Sequence, residues 1–181
     1  MAGDLAVWLI ILAELLAFGI FFLSFAFARL QDVELFNASQ RTLDLRLGGV
    51  NTALLITGSW CVVRAIKAVR ADACTAGVRW LAAALMCGGG FVAMKIMEYS
   101  AKWEAGLDLS TNTFYMFYFL LTGFHFFHEL AAMVFLGILM VKTGQRRYGS
   151  NDYHALETGA AFWHMVDLLW IVLFPLIYVM R

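Results

Sequence analysis

Nine ionisable side chains stand out within five long apolar stretches, apart from the basic residues and His154 toward the stretch ends: Glu14, Lys95, Glu98, His125, His128, Glu129, Glu157, His164 and Asp167. A charge at the centre of a bilayer costs at least about 2.5–3.5 kcal/mol on insertion scales, so each of these residues marks a candidate functional position. His125, His128 and Glu129 stand at i, i+3 and i+4, which places them on one helical face. Glu157, His164 and Asp167 stand at i, i+7 and i+10 and share a face of another helix. With a rise of 1.5 Å per residue, Glu14 lies roughly 15 Å into the first stretch and His164 about as far into the fifth. The 125–129 set lies roughly 18–24 Å from the opposite end of the fourth. The spacing therefore predicts one intramembrane polar cluster near the midplane. Lys95 and Glu98, at i and i+3 near the outer end of the third stretch, can pair or snorkel.

Several chemistries use groups of this kind. His125-x-x-His128-Glu129 with His164-x-x-Asp167 has ligand-like spacing for a di-metal bundle, but the Glu-x-x-His pair usual on two helices of such bundles is absent. His164 with His125 or His128 would suit axial haem ligation, and the four histidines of the chain cannot also supply a haem–copper catalytic centre. Glu14, Glu129 and Asp167 would suit a proton or ion path, as in a small standalone transporter. Few polar residues occupy the helix halves leading to them. The same groups would also serve by hydrogen bonding to one another to fix helix packing, or by lining a pocket for lipid head groups or a partner subunit. Spacing alone leaves these roles open.

The elements that must position these groups are membrane helices. Of 181 residues, 62% are hydrophobic and 14% charged, and there is a single proline, Pro175. A water-soluble domain of this size cannot hide so much apolar surface. Five segments approach or exceed the 20 or so apolar residues of a span: 5–28, 47–69, 77–101, 113–141 and 154–180. They predict an all-α integral membrane bundle of five transmembrane helices, a single transmembrane domain over 1–181. The first segment has no Lys or Arg before Arg29, an apolar run too long for a signal peptide and no A-x-A-like site after it, so it reads as a retained helix. Net charge is zero, and nothing points to nucleic acid. Cys61, Cys74 and Cys87 are widely spaced and read as reduced thiols. Gly88-Gly89-Gly90 reads as a surface of close helix approach. Arg64, Lys67, Arg70, Arg79, Lys142, Arg146 and Arg147 fall on one side, seven basic residues against five, namely Arg29, Arg41, Arg46, Lys102 and Arg181. That bias predicts a cytoplasmic N-terminus and a C-terminus outside.

Particular motifs carry a resemblance. The first span reads W-L-I-I-L-A-E-L-L-A-F-G around Glu14, and the second opens V-N-T-A-L-L-I-T-G-S at Val50–Ser59. The third ends with Glu98-Tyr99, preceded by Lys95. The fourth holds T-G-F-H-F-F-H at Thr122–His128, and the fifth E-T-G-A-A-F-W-H-M-V-D-L-L-W at Glu157–Trp170. In this order, and over about Trp8 to Tyr178, the chain resembles the haem–copper oxidase (cytochrome c oxidase) subunit III family. The W-H-x-V-D-x-x-W element is the most specific piece. Full-length members have seven helices, the first two forming one arm of a lipid-holding cleft. The chain looks like the short five-helix branch, which includes quinol-oxidase subunit III and the nitric oxide reductase accessory proteins of the NorE type. The run T-N-T-F-Y-M-F-Y-F-L-L-T-G-F-H at Thr111–His125 and the K-x-x-E-Y-x-x-K run at Lys95–Lys102 look most like NorE.

The resemblance implies a helper rather than a catalyst. Such a subunit carries no cofactor of its own, neither haem nor copper. It packs against a haem-containing catalytic subunit in the bacterial inner membrane, with phospholipid as the bound molecule, and supports assembly, durability or proton supply. Glu14 matches the family's intramembrane carboxylate. His125, His128, Glu157, His164 and Asp167 match polar positions around its lipid-facing cleft. The partner implied is a nitric oxide reductase of denitrification, or else an oxygen-reducing cytochrome c or quinol oxidase.

Overall fold

The structure, a computed structural model, describes residues 2–149 and 153–180. Five of its helices are long and apolar enough to cross a membrane. They are α1 (Ala2–Gln31), α3 (Leu45–Arg70), α4 (Cys74–Glu104), α5 (Thr113–Gly144) and α6 (His154–Phe174), the last continued by a π-helical turn at Pro175–Val179. Helices α3 and α5 begin where short polar residues satisfy orphan N–H groups. The Asp44 carboxylate accepts from the N–H groups of Arg46 and Leu47 at α3, and Asn112 Oδ1 from that of Tyr115 at α5.

The structure also holds a helix within 29–46, which the sequence reading treats as loop. Helix α2 (Val33–Gln40) starts at Asp32, whose carboxylate accepts from Leu35 N–H. Its buried Phe36 packs edge-on against Phe25 of α1 and Phe114 of α5. At eight residues it is too short for a clear apolar period, and Phe36 together with the buried Gln40 amide, which donates to the Leu176 and Ile177 carbonyls, holds it to the bundle.

The most extensive packing is of α3 on α4, followed by α4 on α5 and α5 on α6, while α1 lies against α6 and α5. The buried side chains form two apolar clusters stacked along the bundle. One contains Val62, Ala65, Leu81, Ala84, Ala132, Leu136 and Trp163. The other contains Phe25, Leu55, Phe91, Phe114, Leu121, Trp170 and Leu173. Between Leu55 and Cys61 of α3 stands Ser59. Between Ala84 and Phe91 of α4 stands Gly88, and between Leu121 and Ala132 of α5 stand His125 and Glu129. The polar positions therefore fall at the seam between two apolar layers.

In the α4–α5 turn, Asp108 Oδ1 accepts from the Ser110 hydroxyl and N–H at 2.7 and 2.8 Å. These bonds, the Ser110 hydroxyl first, hold the Asp108 carboxyl below the usual carboxylate range. A depressed carboxyl contributes above its unfolded titration range and loses that contribution as pH falls through its folded one. The expected result is that the protection of the Ser110 amide, measured relative to its intrinsic exchange rate at each pH, falls on acidification in the wild type and is already lost at neutral pH in Asp108→Ala.

A candidate intramembrane polar site

Glu14 and His128 join α1 to α5. Glu14 Oε2 lies 3.0 Å from His128 Nε2, and His128 Nδ1 lies 2.7 Å from the Phe124 carbonyl oxygen. A carbonyl only accepts, so Nδ1 carries a hydrogen and donates to it. A neutral imidazole would then offer a bare Nε2 to a bare carboxylate. The contact therefore requires a proton between Oε2 and Nε2, carried by the ring or by the acid. Phe18 seats the imidazole edge-on, with ring centroids 5.6 Å apart. A Glu14→Gln amide can still donate to Nε2. We expect this variant to fold and to lose less than the roughly 3–5 kcal/mol that stripping a partner from a buried ion pair costs, because the amide keeps a donor for Nε2, read by thermal unfolding in detergent.

His125, one turn before His128, and the adjacent Glu129 point the other way, into the bundle, and both are fully buried. The His125 ring sits between Phe91 and Trp170, with centroids 5.5 and 5.0 Å away. Glu129 lies against Gly88, where a Cβ would stand 2.9 Å from Oε1. It faces Asp167 of α6, whose own polar neighbours are Ser59 and Trp163. His164 Nδ1 meets the Ser59 hydroxyl at 2.5 Å. Glu14, His128, Glu129, Asp167, Ser59 and His164 thus form a line across α1, α5, α6 and α3. Glu14 is in direct contact with His128, and Glu129 faces Asp167. The 125–129 set is split, however, with His128 toward α1 and its neighbours toward α4 and α6.

Glu157 is a correction. It shares a helical face with His164 but not its depth, because two turns separate them, about 10 Å. It stands in the first turn of α6, where an acid suits the helix dipole. There it forms an ion pair with Arg70 at the last turn of α3, and His154 Nδ1 lies 3.7 Å from it. The Arg70 guanidinium also covers the Tyr153 ring, 4.6 Å from its centroid. Glu157 belongs to the rim, outside the midplane line.

Lys95 and Glu98 form a second, separate centre. Lys95 does not snorkel: it is fully buried, and its Nζ donates to Glu98 Oε2 at 2.9 Å and to Tyr178 Oη at 2.8 Å. Glu98 Oε1 accepts from Tyr118 at 2.8 Å and from Tyr178 at 2.6 Å. The rings of Tyr99, Tyr118, Trp170 and Tyr178 surround the ammonium with centroids 5.1–5.4 Å away. Such a cage stabilises a desolvated cation. Tyr178 reaches it from the π-helical turn after Pro175, where Met180 N–H bonds the Pro175 carbonyl.

The sequence reading missed Tyr118, Tyr178, Trp163 and Arg70 as partners of the charges. Tyr118, Tyr178 and Arg70 come from a different segment than the charge each serves, so no local spacing marks them, whereas Trp163 stands one turn before Asp167 on α6 and its i, i+4 spacing could have marked it. Ser59 was visible only as the last residue of the V-N-T-A-L-L-I-T-G-S run. Among the described residues, no three His, Cys, Asp or Glu side chains converge as a metal site.

The W-H-x-V-D-x-x-W element faces inward along its length: Trp163, Val166, Asp167 and Trp170 are buried. The Trp170 indole N–H donates to Thr52 Oγ1 at 3.0 Å. The sequence profile described as cytochrome c oxidase subunit III matches residues 3–181. The chain belongs to the cytochrome c oxidase subunit III family. It is 30% identical over 139 residues to cytochrome c oxidase subunit 3 of Synechocystis, covering 76% of this chain and 58% of that protein. It is 28% identical over 171 residues to a probable cytochrome c oxidase subunit 3 of Nocardia farcinica, covering 93% of this chain and 83% of that one. It is also 27% identical over 131 residues to cytochrome bo(3) ubiquinol oxidase subunit 3 of Pseudomonas aeruginosa, covering 72% and 63%. The chain spans about half the length of several curated relatives it matches, between 48% and 58%. Membership of the subunit III family fits a multi-pass bundle whose specific motif forms an inner wall.

Proposed function

We propose that this protein is a non-catalytic accessory subunit of a respiratory haem–copper-type complex, and that the complex is a nitric oxide reductase of denitrification. It would sit in the bacterial inner membrane beside a haem-containing catalytic subunit. There it would support assembly, stability or the proton and lipid environment of that subunit, with bound phospholipid at its surface. The observation that carries the nitric oxide reading is the K-x-x-E-Y-x-x-K run. Its Lys95 and Glu98 are the buried ion pair that ties α4 to α5 and to the turn after α6. That reading follows the likeness to NorE.

The recess formed by Asp72–Ala76, Arg79 and Arg146–Gly149 gathers three arginines on one side of the bundle. This favours placing that side in the cytoplasm, with the N-terminus there and the C-terminus in the periplasm. A second reading, subunit III of an oxygen-reducing cytochrome c or quinol oxidase, is favoured by the names of the relatives.

Membranes from cells lacking the protein test the choice. Nitric oxide consumption is expected to fall, or to decay faster during turnover, with oxygen uptake unchanged. A loss confined to oxygen uptake would replace the first reading with the second.

A further inference from the structure

Glu129 and Asp167 are two acids facing each other across the α5–α6 contact, 0% and 4% exposed. Among the described residues none of their four carboxyl oxygens closes a hydrogen bond of good geometry, although Ser59 and the Trp163 indole stand within looser reach of Asp167. A third group aims into the same space. Trp163 is 1% exposed and its indole N–H also has no acceptor, although Asp167 is its neighbour. Gly88 makes the space, since a Cβ there would stand 3.0 Å from Trp163 Cη2 as well as against Glu129.

Among the described residues, the groups facing the pair bring no free cation. From α3 come Ser59, already engaged with His164 Nδ1, and the thiol of Cys61. From α4 comes Cys87, whose Cβ would lie 3.3 Å from a Cβ on Gly58. From α5 comes His125, ringed by Phe91 and Trp170, and from α6 His164. Lys95 is committed to Glu98 and Tyr178.

Two ionised carboxylates in hydrocarbon, facing each other and without a counter-charge, are far too costly to persist. Two carboxyl groups in one site share a proton. Buried acceptors with a neighbouring orphan donor require a hydrogen-bonding occupant. We propose that Glu129 and Asp167 form an internal proton-binding site, which holds one exchangeable proton between the two carboxyl groups at neutral pH. Trp163 and Ser59 orient the pair, and the ligand is a proton, shared directly or through ordered water. The site lies next to the Glu14–His128 contact along α5, so two proton-holding pairs stand side by side at the seam of the bundle. The inference concerns the isolated chain and does not depend on which reductase or oxidase it joins.

Infrared spectroscopy of the full chain in lipid nanodiscs, without any partner, tests it. At neutral pH the wild type should show a protonated-carboxyl C=O band that shifts in heavy water. In the Glu14→Gln background, which removes the other acid able to hold a proton, the band should remain. Glu129→Gln or Asp167→Asn alone should shift it, because the single acid left in hydrocarbon stays protonated, and the double substitution should abolish it. Should a variant misfold, the Glu14→Gln protein carrying isotope-labelled aspartate or glutamate supplies the answer, because its remaining C=O band should shift with one of the labels. Absence of such a band, or a band that survives the double substitution in the Glu14→Gln background, would overturn the site. A rise in unfolding temperature with sodium, lost in Glu129→Gln, would also overturn it, by making the occupant a metal cation.

Discussion

Replacing Glu98 with leucine will cost the folded bundle about 3–5 kcal/mol, the range for stripping one partner from a buried ion pair. The substitution leaves the Lys95 ammonium in hydrocarbon with Tyr178 as its sole oxygen partner. It also removes the acceptor that both Tyr118 and Tyr178 use. Glu98 thus joins α4 to α5 and to the turn that follows α6, and its loss loosens all three. Lys95→Met should cost less, because Glu98 keeps two hydroxyl donors. The double variant Lys95→Met, Glu98→Leu should recover much of the loss, because no uncompensated charge remains. Unfolding in detergent, followed by tryptophan fluorescence, measures the series. A Glu98→Leu protein within about 1 kcal/mol of the wild type would mean that the cage is not what holds these helices together.

The second large effect is expected at Gly88. A Cβ at this position would lie 2.9 Å from Glu129 Oε1, 3.0 Å from Trp163 Cη2 and 3.3 Å from Met133 Cγ. Trp163 is a buried, rigid wall, so the new atom must push either it or the acid. Gly88→Ala should cost about 1–3 kcal/mol, as overpacking does, and Gly88→Leu more. The neighbours supply controls. At Gly89 the nearest atom is the flexible end of Met133 at 3.9 Å, and at Gly90 it is Leu54 at 3.3 Å. Gly89→Ala should be neutral or slightly stabilising, because alanine is the better helix former by up to about 1 kcal/mol. Gly90→Ala should fall between the two. Equal effects at all three positions would show that the triplet is merely a run of small residues.

Much of the architecture was legible in the sequence, because five apolar runs of membrane length admit few alternatives. The shared depth of Glu14, His125–Glu129 and Asp167 was legible as well, since helical rise converts residue number into height. Azimuth was not. His128 turns to α1 while His125 and Glu129 turn inward, and only the neighbouring helices decide this. Glu157 shows the opposite failure, a shared face without a shared depth, resolved by Arg70 on another helix. The fate of Lys95 was equally closed to sequence reading. A lysine near a helix end snorkels unless acceptors and aromatic faces meet it, and Tyr118 and Tyr178 come from distant segments. Helix α2 was missed because eight residues around one buried phenylalanine give no periodic signal.

The central claim is that this subunit III family member serves beside a haem-containing catalytic subunit. Affinity purification from native membranes in a mild detergent, with an optical spectrum and identification of the co-purifying chains, tests it most directly. The expected result is near-stoichiometric recovery of the haem-bearing subunits of a nitric oxide reductase. A colourless protein that stays folded in that detergent, recovers no partner and drives proton or ion flux alone in liposomes would contradict the claim and make it a transporter.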